Sequence, residues 1–175
     1  MSTNNDNNKA LIFVYGTLKQ GFPNHHLLET LTASNDAQFL GPHTTVHPYP
    51  LVRGPLGIPF LINHLGSGRR VSGELYLVSG RALARLDELE GVDRGHYERL
   101  PATVVPTPAD GGDGAARVEA EAYFADRSFG MEMWEKSGRE GIEEYRLSDA
   151  DKYVGIEARD VGFKLKDYIL LYLQQ

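Results

Sequence analysis

The chain has 175 residues, of which 41% are hydrophobic and 24% charged, as expected for one ordinary globular domain with a buried core. Its net charge is −6 and it has no cluster of Lys and Arg, so we expect no binding of nucleic acid, which requires a basic surface. The absence of Cys excludes disulfide bonds and thiolate catalysis, and no apolar run is long enough to span a membrane. We therefore expect a cytoplasmic monomer that does not bind membranes.

The first elements are a polar tail, a strand and a helix. Residues 1–9, MSTNNDNNK, are rich in Asn and lack the basic and apolar regions of a signal peptide, so they are predicted to be a disordered tail. The apolar run ALIFVYG, which stops at Gly16, predicts a short buried strand. Asn24 precedes HHLLETL, whose leucines share one helical face, so a short helix with Asn24 as N-cap is predicted there.

The middle of the chain combines proline-rich segments, strands and one helix. Five prolines within residues 41–60 predict loops and edge segments. PFLINHL and VSGELYLV read as strands, the second with a possible bulge at Gly73. SGRALARLDELEG has helical spacing of its apolar residues, with Ser79 as a plausible cap and Gly91 as a natural stop.

Two further strands and a C-terminal extension complete the predicted elements. YERLPATVVP and VEAEAYFA are predicted strands on either side of a glycine-rich hairpin loop, PADGGDGAA. We predict one domain over residues 10–128 and a mostly helical extension over 129–175 packed on it, with a sequence at Ser148–Asp151 that resembles a capping box. Short strands outnumber helices without regular βαβ alternation, which predicts the α+β class, a curved sheet or barrel with a few helices.

The turn YGTLKQG has two interpretations. Its G-x-x-x-x-G spacing matches a nucleotide-binding P-loop, but Phe22 and Pro23 stand where that motif needs Lys and Ser or Thr, so we reject a P-loop. The turn is then either a plain strand end or an anion site, in which Gly16 allows close approach and successive amides form a concavity. Thr17 would add a hydroxyl and Tyr15 a phenol, which suits a carboxylate or a developing oxyanion.

Glu90 differs from the acidic residues around it. It lies beside the apolar stripe of its predicted helix and at the C-terminal end, where the helix dipole disfavours negative charge. Burial and the dipole would both raise its pKa towards the range of a general base. It could equally be an ordinary residue at the boundary of the apolar face.

No metal site is expected from the histidines. His25 and His26 are adjacent, so a helix would point them about 100° apart. His43 and His47 are surrounded by prolines, and no H-E-x-x-H motif is present. Ser67 lies in a glycine turn without the G-x-S-x-G of a nucleophile elbow, which favours a flexible turn.

The stretch FVYGTLKQGFPNHH, followed some distance later by LDELEG, resembles the γ-glutamylcyclotransferase-like (AIG2-like) family, nearest its γ-glutamylamine cyclotransferase branch. PYPLV, IPFL, GSGRRVSGELYLV, YER and EAYFA extend the resemblance over residues 10–126. The resemblance implies a small mixed β-barrel with flanking helices and a cavity at one end. The tail from about Phe129 does not resemble the family pattern, so the family does not assign it.

The resemblance implies an activity and its residues. Tyr15, Gly16, Thr17 and Leu18 would bind the γ-glutamyl group, and Glu90 would act as general acid and base in a cyclisation to 5-oxoproline that releases an amine. No cofactor or metal is implied. Tyr97 and Tyr123 are candidates for lining the cavity, although both could be core residues.

Two other functions remain open from the sequence. The chain could be a non-catalytic member that binds a γ-glutamyl metabolite with the same pocket, because fold does not guarantee activity. It could also be a protein-interaction module that uses the loops of residues 41–60 or the apolar C-terminal segment as its surface.

Overall fold

The structure is a computed structural model that describes residues 8–108, 116–155, 158–159 and 164–175. Of the predicted disordered tail, residues 1–9, all but residues 8 and 9 lie outside the described residues. Most of the predicted hairpin loop, residues 109–115, also lies outside them.

The centre of the fold is a closed β-barrel. The strands of the described chain are β1 (Ala10–Val14), β2 (Ala37–Thr45), β3 (Leu51–Arg53), β4 (Pro59–Leu61), β5 (Ser72–Val78), β6 (Tyr97–Pro106) and β7 (Val118–Ala125). Their order is β1-β5-β2-β6-β7-β4-β3, and β1 also pairs with β7. Five strands thus close into a barrel, from which the β3–β4 hairpin extends. The pairs β1–β7 and β4–β7 are parallel and the others antiparallel, which confirms the predicted α+β mixed barrel.

Five helices are described: α1 (His25–Ala33), α2 (Gly80–Leu89), α3 (Gly130–Lys136), α4 (Leu147–Ala150) and α5 (Leu165–Gln174). The predicted ends of α2 are confirmed. The Ser79 hydroxyl accepts a hydrogen bond from the Ala82 amide at 3.1 Å, and Gly91 follows the helix in the left-handed region at φ 66°. Within the described part of the chain, every helix is too short or too polar to traverse a lipid bilayer.

The bulge in the sheet lies in β2 and not at Gly73, so that prediction is wrong. Between Phe39 and Pro42 the register of β2 against β5 shifts by one residue, and Gly41 at this place has φ 100°. Gly73 has a different role, because a Cβ there would lie 2.4 Å from the Val14 carbonyl oxygen. Two strands therefore approach too closely at Gly73 for a side chain.

The prediction of loops and edge segments for residues 41–60 is wrong in part. β2 continues to Thr45, and its residues His43 and Thr44 pair with both β5 and β6, which makes this end of β2 internal. Pro42 is tolerated because it follows the bulge, where the ladder is already interrupted. The predicted strand PFLINHL is shorter than expected, because β4 ends at Leu61.

Two apolar clusters share the alternating residues of β1. Ile12 packs in a cluster with buried residues of α1, α2, α3 and α5, such as Leu86 and Ile169. Phe13 packs in the second cluster with Phe124 and Tyr145. A strand points successive side chains to opposite sides, so β1 is buried on both. Segment 129–175 contributes to both clusters, through Ile169 to one and Tyr145 to the other.

The capping box predicted at Ser148–Asp151 is wrong. Helix α4 begins at Leu147, and the Asp149 carboxylate accepts a hydrogen bond from the Arg146 amide at 2.7 Å. The capping box is therefore formed by Arg146 and Asp149, and it starts two residues before Ser148. Asp149 also pairs with Arg53, which connects this short helix to β3.

Candidate functional site

The turn after β1 is anchored through a buried phenol. The Tyr15 hydroxyl donates a hydrogen bond to the backbone carbonyl of Tyr123 at 2.5 Å and accepts one from the Leu61 amide at 3.3 Å. Tyr15 is 6% exposed. One side chain therefore ties the end of β1 to β7 and β4, the strands that flank the turn.

Gly16 is required by packing and not by its backbone angle. A Cβ on Gly16 would lie 2.6 Å from Cγ of Pro59, closer than real carbon atoms approach. Gly16 is not among the glycines of the described chain that have positive φ. The predicted close approach at Gly16 thus exists, but its partner in the structure is the rigid ring of Pro59.

Three backbone amides of the turn have no acceptor among the described residues. It is closed by hydrogen bonds from the Lys19 amide to the Gly16 carbonyl at 3.1 Å and from the Asn24 amide to the Thr17 carbonyl at 2.8 Å. The amides of Gly16, Thr17 and Leu18 themselves donate to no acceptor in the part of the chain that the structure describes. Consecutive free amides at a strand end form an anion-binding concavity.

Asn24 holds the turn against the C-terminal segment. It was predicted as the N-cap of α1 and has that position, but its side chain makes no capping bond. Its amide nitrogen donates instead to the Thr17 hydroxyl at 2.9 Å and to the Tyr153 hydroxyl at 3.0 Å. Asn24 therefore fixes the orientation of Thr17.

Glu90 lies directly after α2, where the left-handed Gly91 turns the chain away. Burial raises the pKa of its carboxyl from 4.5 to about 7. Its side chain has no hydrogen bond or ion pair with any residue that the structure describes. A carboxyl without a partner and with a pKa near neutrality can accept a proton and release it again.

Three phenols line the same cavity as the Glu90 carboxyl. Burial is the largest cause that raises the pKa of Tyr15, Tyr97 and Tyr123, and the nearby charge of Glu90 raises each further. The Tyr97 hydroxyl donates to the Pro59 carbonyl at 2.7 Å, and the Tyr123 hydroxyl to Asp87 Oδ1 at 2.7 Å. These phenols stay neutral and shape the site around Glu90.

All the residues predicted for the site line a single cavity of about 90 Å³. They are Tyr15, Gly16, Thr17, Leu18, Glu90, Tyr97 and Tyr123. Tyr97 and Tyr123 are also core residues, at 6% and 3% exposure. Each of them therefore both lines the cavity and belongs to the core. The structure thus brings the turn and the end of α2 to one place, although many residues separate them in the chain.

Sequence reasoning missed five polar residues of the same cavity. They are Asn24, Arg94, His96, Tyr153 and Arg159. The chain places Arg94 and His96 just beyond Gly91, so they could have been suspected from their nearness to Glu90. Tyr153 and Arg159 belong to the C-terminal segment, for which no motif was available.

One rim of the cavity is positively charged. Burial is the largest cause that lowers the pKa of His96, followed by the charges of Arg94, Arg159 and Lys166, while Asp126 opposes them. The chain as a whole carries a net charge of −6. A local concentration of cations beside the cavity favours an anionic ligand.

Metal ligands do not converge at this site. No group of three or more His, Asp or Glu side chains suitable for a metal ion occurs within the described residues. The chemistry available to the cavity is therefore that of one carboxyl, free backbone amides, phenols and a cationic rim.

The chain is similar to known proteins of one family. The family model described as gamma-glutamyl cyclotransferase, AIG2-like, matches residues 12–154. An Arabidopsis thaliana protein named as a candidate gamma-glutamylcyclotransferase is 42% identical over 171 residues, which are 94% of this chain and 91% of that protein. The human gamma-glutamylaminecyclotransferase is 50% identical over 82 residues, 46% of this chain and 53% of the human protein.

A solved structure shows the same fold. The crystal structure of an AIG2-like protein from Mus musculus superposes with a TM-score of 0.71 at 31% identity, and the match covers 87% of this chain and 99% of the mouse chain. The family match covers the turn, Glu90 and Tyr153 together. The chain therefore belongs to the AIG2-like gamma-glutamyl cyclotransferase family.

Proposed function

We propose that this protein is a γ-glutamylamine cyclotransferase, which converts the γ-glutamyl group of its substrate into 5-oxoproline and releases an amine. One observation carries the proposal: the Glu90 carboxyl, which has a pKa raised to about 7 and no partner among the described residues, shares a cavity with Gly16, Thr17 and Leu18, whose amides donate to no described acceptor. A base and a set of oxyanion donors are the two groups that this cyclisation needs.

The first step activates the nucleophile. The α-amine of a γ-glutamyl compound is protonated at neutral pH, and the ionised Glu90 accepts a proton from it. The neutral nitrogen then attacks the γ-carbonyl carbon of the same molecule, which forms the C–N bond of the five-membered ring. Confinement in the cavity brings these two atoms together. Such proximity lowers the activation free energy of the cyclisation by roughly several kcal/mol.

The second step breaks the amide. The carbonyl oxygen becomes an oxyanion, to which the amides of the Gly16–Leu18 turn would donate hydrogen bonds; one such donor is worth about 3 kcal/mol. The bond to the departing nitrogen then breaks. Glu90 carries the protons lost by the ring nitrogen to the departing nitrogen, which leaves as an ammonium ion. Atoms and charge balance without another reactant.

The charge of the rim fits such a substrate. γ-Glutamyl compounds carry an α-carboxylate, and Arg94 and Arg159 lie in the cavity lining. The amine branch is supported by the similarity to the human gamma-glutamylaminecyclotransferase, which is 50% identical to this chain over 82 residues. Because we expect few contacts to the leaving group, we expect modest discrimination between related amines, about 1–3 kcal/mol for a methylene.

The test is a substrate comparison with the purified protein. γ-Glutamyl-ε-lysine, γ-glutamylalanine and glutathione are incubated separately, and 5-oxoproline is quantified by mass spectrometry. We expect 5-oxoproline from γ-glutamyl-ε-lysine with the highest kcat/KM. A preference for glutathione would contradict the amine branch, and no 5-oxoproline from any of the three would contradict the cyclotransferase proposal.

A further inference from the structure

Tyr123 contacts both halves of the cavity that contains Glu90. Its backbone carbonyl accepts the hydrogen bond of the Tyr15 hydroxyl at 2.5 Å, where β1 ends and the Gly16 turn begins. Its own hydroxyl donates to Asp87 Oδ1 at 2.7 Å, in the last turn of α2. Asp87 precedes Glu90 by three residues, so the two carboxyl groups lie on one side of the helix end. One residue of β7 thus connects the turn of the proposed oxyanion donors to the helix of the proposed base.

Asp87 is held from a second strand as well. Arg99 of β6 lies directly opposite Tyr123 of β7 in the antiparallel ladder, which points both side chains to the same side of the sheet. Arg99 Nε lies 3.1 Å from Asp87 Oδ1, and Arg99 Nη1 donates to Glu121 Oε1 at 3.0 Å. The Nε–H group is not aligned for a hydrogen bond with any described acceptor. Arg99 therefore attracts Asp87 by charge, whereas Tyr123 supplies the directed bond.

The position of the Glu90 carboxyl depends on the end of α2. The side chain of Glu90 has no hydrogen bond or ion pair with a described residue, so the helix backbone places it. Leu86 in the last turn is fully buried, but apolar contacts are non-directional and do not fix the rotation of a helix. Among the described residues, the polar side-chain contacts from this turn to the barrel strands all involve Asp87. The orientation of the helix end therefore rests on Asp87.

We propose that Asp87 and Tyr123 are a positioning pair, whose hydrogen bond sets the distance between the Glu90 carboxyl and the amides of the Gly16–Leu18 turn. In this role the Tyr123 hydroxyl acts through Asp87 and not on the reacting atoms. A base and oxyanion donors serve one substrate only within a narrow range of separation, and a misplacement of about 1 Å can lower the rate about 100-fold. This inference rests on the proposed cyclotransferase function.

The experiment removes this hydrogen bond from either side. Tyr123→Phe removes the donor and keeps the ring in the cavity, Asp87→Ala removes the acceptor, and a third variant carries both changes. Tyr76→Phe is the matched control, because Tyr76 is 1% exposed, against 3% for Tyr123, and lies outside the cavity lining. The Tyr76 hydroxyl also donates to a carboxylate, Glu74 Oε1, at 3.2 Å. For each protein, kcat and KM are measured with γ-glutamyl-ε-lysine.

The two substitutions should not have additive effects. Tyr123→Phe should lower kcat about 10- to 100-fold and leave KM within about twofold of wild type, because the alignment of base and donors changes while the cavity lining stays. In the Asp87→Ala background, the same change should alter kcat by less than about twofold, since the acceptor is already absent. Tyr76→Phe should keep the wild-type kcat. Wild-type kcat in Tyr123→Phe would overturn the inference. So would an equal loss from Tyr123→Phe in both backgrounds, which would mean that the phenol acts on the substrate directly.

The ionisation of Glu90 gives a second measurement, which needs neither turnover nor the Asp87 variant. NMR of the carboxyl carbon follows the titration of Glu90 in wild type, Tyr123→Phe and Tyr76→Phe. Loss of the bond should free the helix end and admit water to Glu90, so in Tyr123→Phe the pKa of Glu90 should fall below about 7, towards 4.5. The substitution leaves in place the other titratable and charged groups that line the cavity: Tyr15, Tyr97, Tyr153, Arg94, His96 and Arg159.

These two measurements separate the inference from the proposed function. If wild type forms no 5-oxoproline but the pKa of Glu90 falls in Tyr123→Phe alone, the cyclotransferase proposal fails and the positioning pair stands. The same pKa of Glu90 in all three proteins would overturn the positioning pair whatever the turnover.

Discussion

The Tyr15 hydroxyl donates a hydrogen bond to the Tyr123 carbonyl across the parallel pair of β1 and β7, with 2.5 Å between the two oxygens. This bond, together with the one from the Leu61 amide, fixes the place where β1 ends and the Gly16 turn begins. The position of the proposed oxyanion donors thus depends on a phenol at the end of the preceding strand.

We expect Tyr15→Phe to destabilise the fold and to lower turnover. The change removes the hydrogen bonds that this hydroxyl makes with a buried carbonyl and a buried amide, which costs about 0.5–1.5 kcal/mol for each. Urea unfolding measures the stability, and 5-oxoproline formation measures activity. Tyr49→Phe is the control, because Tyr49 is equally buried but its hydroxyl makes no hydrogen bond with a described residue. Equal stability of the two variants would contradict the role of the Tyr15 hydroxyl.

Gly16→Ala should strain the turn. The added Cβ would lie 2.6 Å from the Pro59 ring, which is rigid and belongs to β4. We expect a loss of about 1–3 kcal/mol of stability and weaker binding of 5-oxoproline. Gly130→Ala is a matched control, since a Cβ on this buried glycine would have neighbours no closer than 3.6 Å. Wild-type affinity for 5-oxoproline in Gly16→Ala would remove Gly16 from the site.

The C-terminal segment should stabilise the whole domain. Leu165 of α5 is 7% exposed and lines the cavity, whereas Leu171 of the same helix is 60% exposed. Leu165→Ala should cost about 2–4 kcal/mol, because it leaves a cavity in the core. Leu171→Ala should change stability by less than about 0.5 kcal/mol. Thermal or urea unfolding of both variants checks this pair, and equal losses would show that α5 does not pack on the domain as described.

Stability should respond to the ionisation of Glu90. Burial raises the pKa of Glu90 in the folded state to about 7, against 4.5 in the unfolded chain, so the folded state binds this proton more tightly. The resulting stabilisation is fully present below about pH 4.5 and is lost as pH rises through about 7. The cost of ionisation in wild type is then on the order of 1–3 kcal/mol at pH 8.

Glu90→Gln cannot ionise, so its stability relative to wild type should increase between pH 4.5 and pH 8. Urea unfolding of both proteins at several pH values measures the difference. Asp87→Asn is an unsuitable control because Asp87 accepts the Tyr123 hydroxyl. Glu132→Gln, on the exposed side of α3, should show no such pH dependence. A stability difference for Glu90→Gln that stays constant with pH would contradict the raised pKa.

The elements that the sequence predicts well are those with local signals. Ser79 and Gly91 mark the ends of α2, and together they place Glu90 at the end of an apolar stripe. The apolar run before Gly16 likewise marks β1 and its turn. In both cases the residues that determine the conformation are neighbours in the chain, so periodicity and capping chemistry suffice.

The parts that could not be predicted depend on contacts between distant residues. Asn24 looks like a helix cap, but its side chain bonds to Tyr153, which is 129 residues away. The bulge at Gly41 and the close approach at Gly73 are set by strand register, which the sequence does not show. Arg94 has no periodic or motif signal, and only its nearness to Glu90 in the chain suggests the place that it has in the cavity lining.

The most direct test of the account is the formation of 5-oxoproline from γ-glutamyl-ε-lysine by wild type and by Glu90→Gln, both confirmed as folded, across pH 5–9. We predict that wild-type kcat/KM rises with pH through about 7, as the Glu90 carboxyl ionises, and that Glu90→Gln is slower by about 100- to 10,000-fold at every pH. A Glu90→Gln variant that keeps near wild-type turnover would contradict the claim that this carboxyl carries the proton.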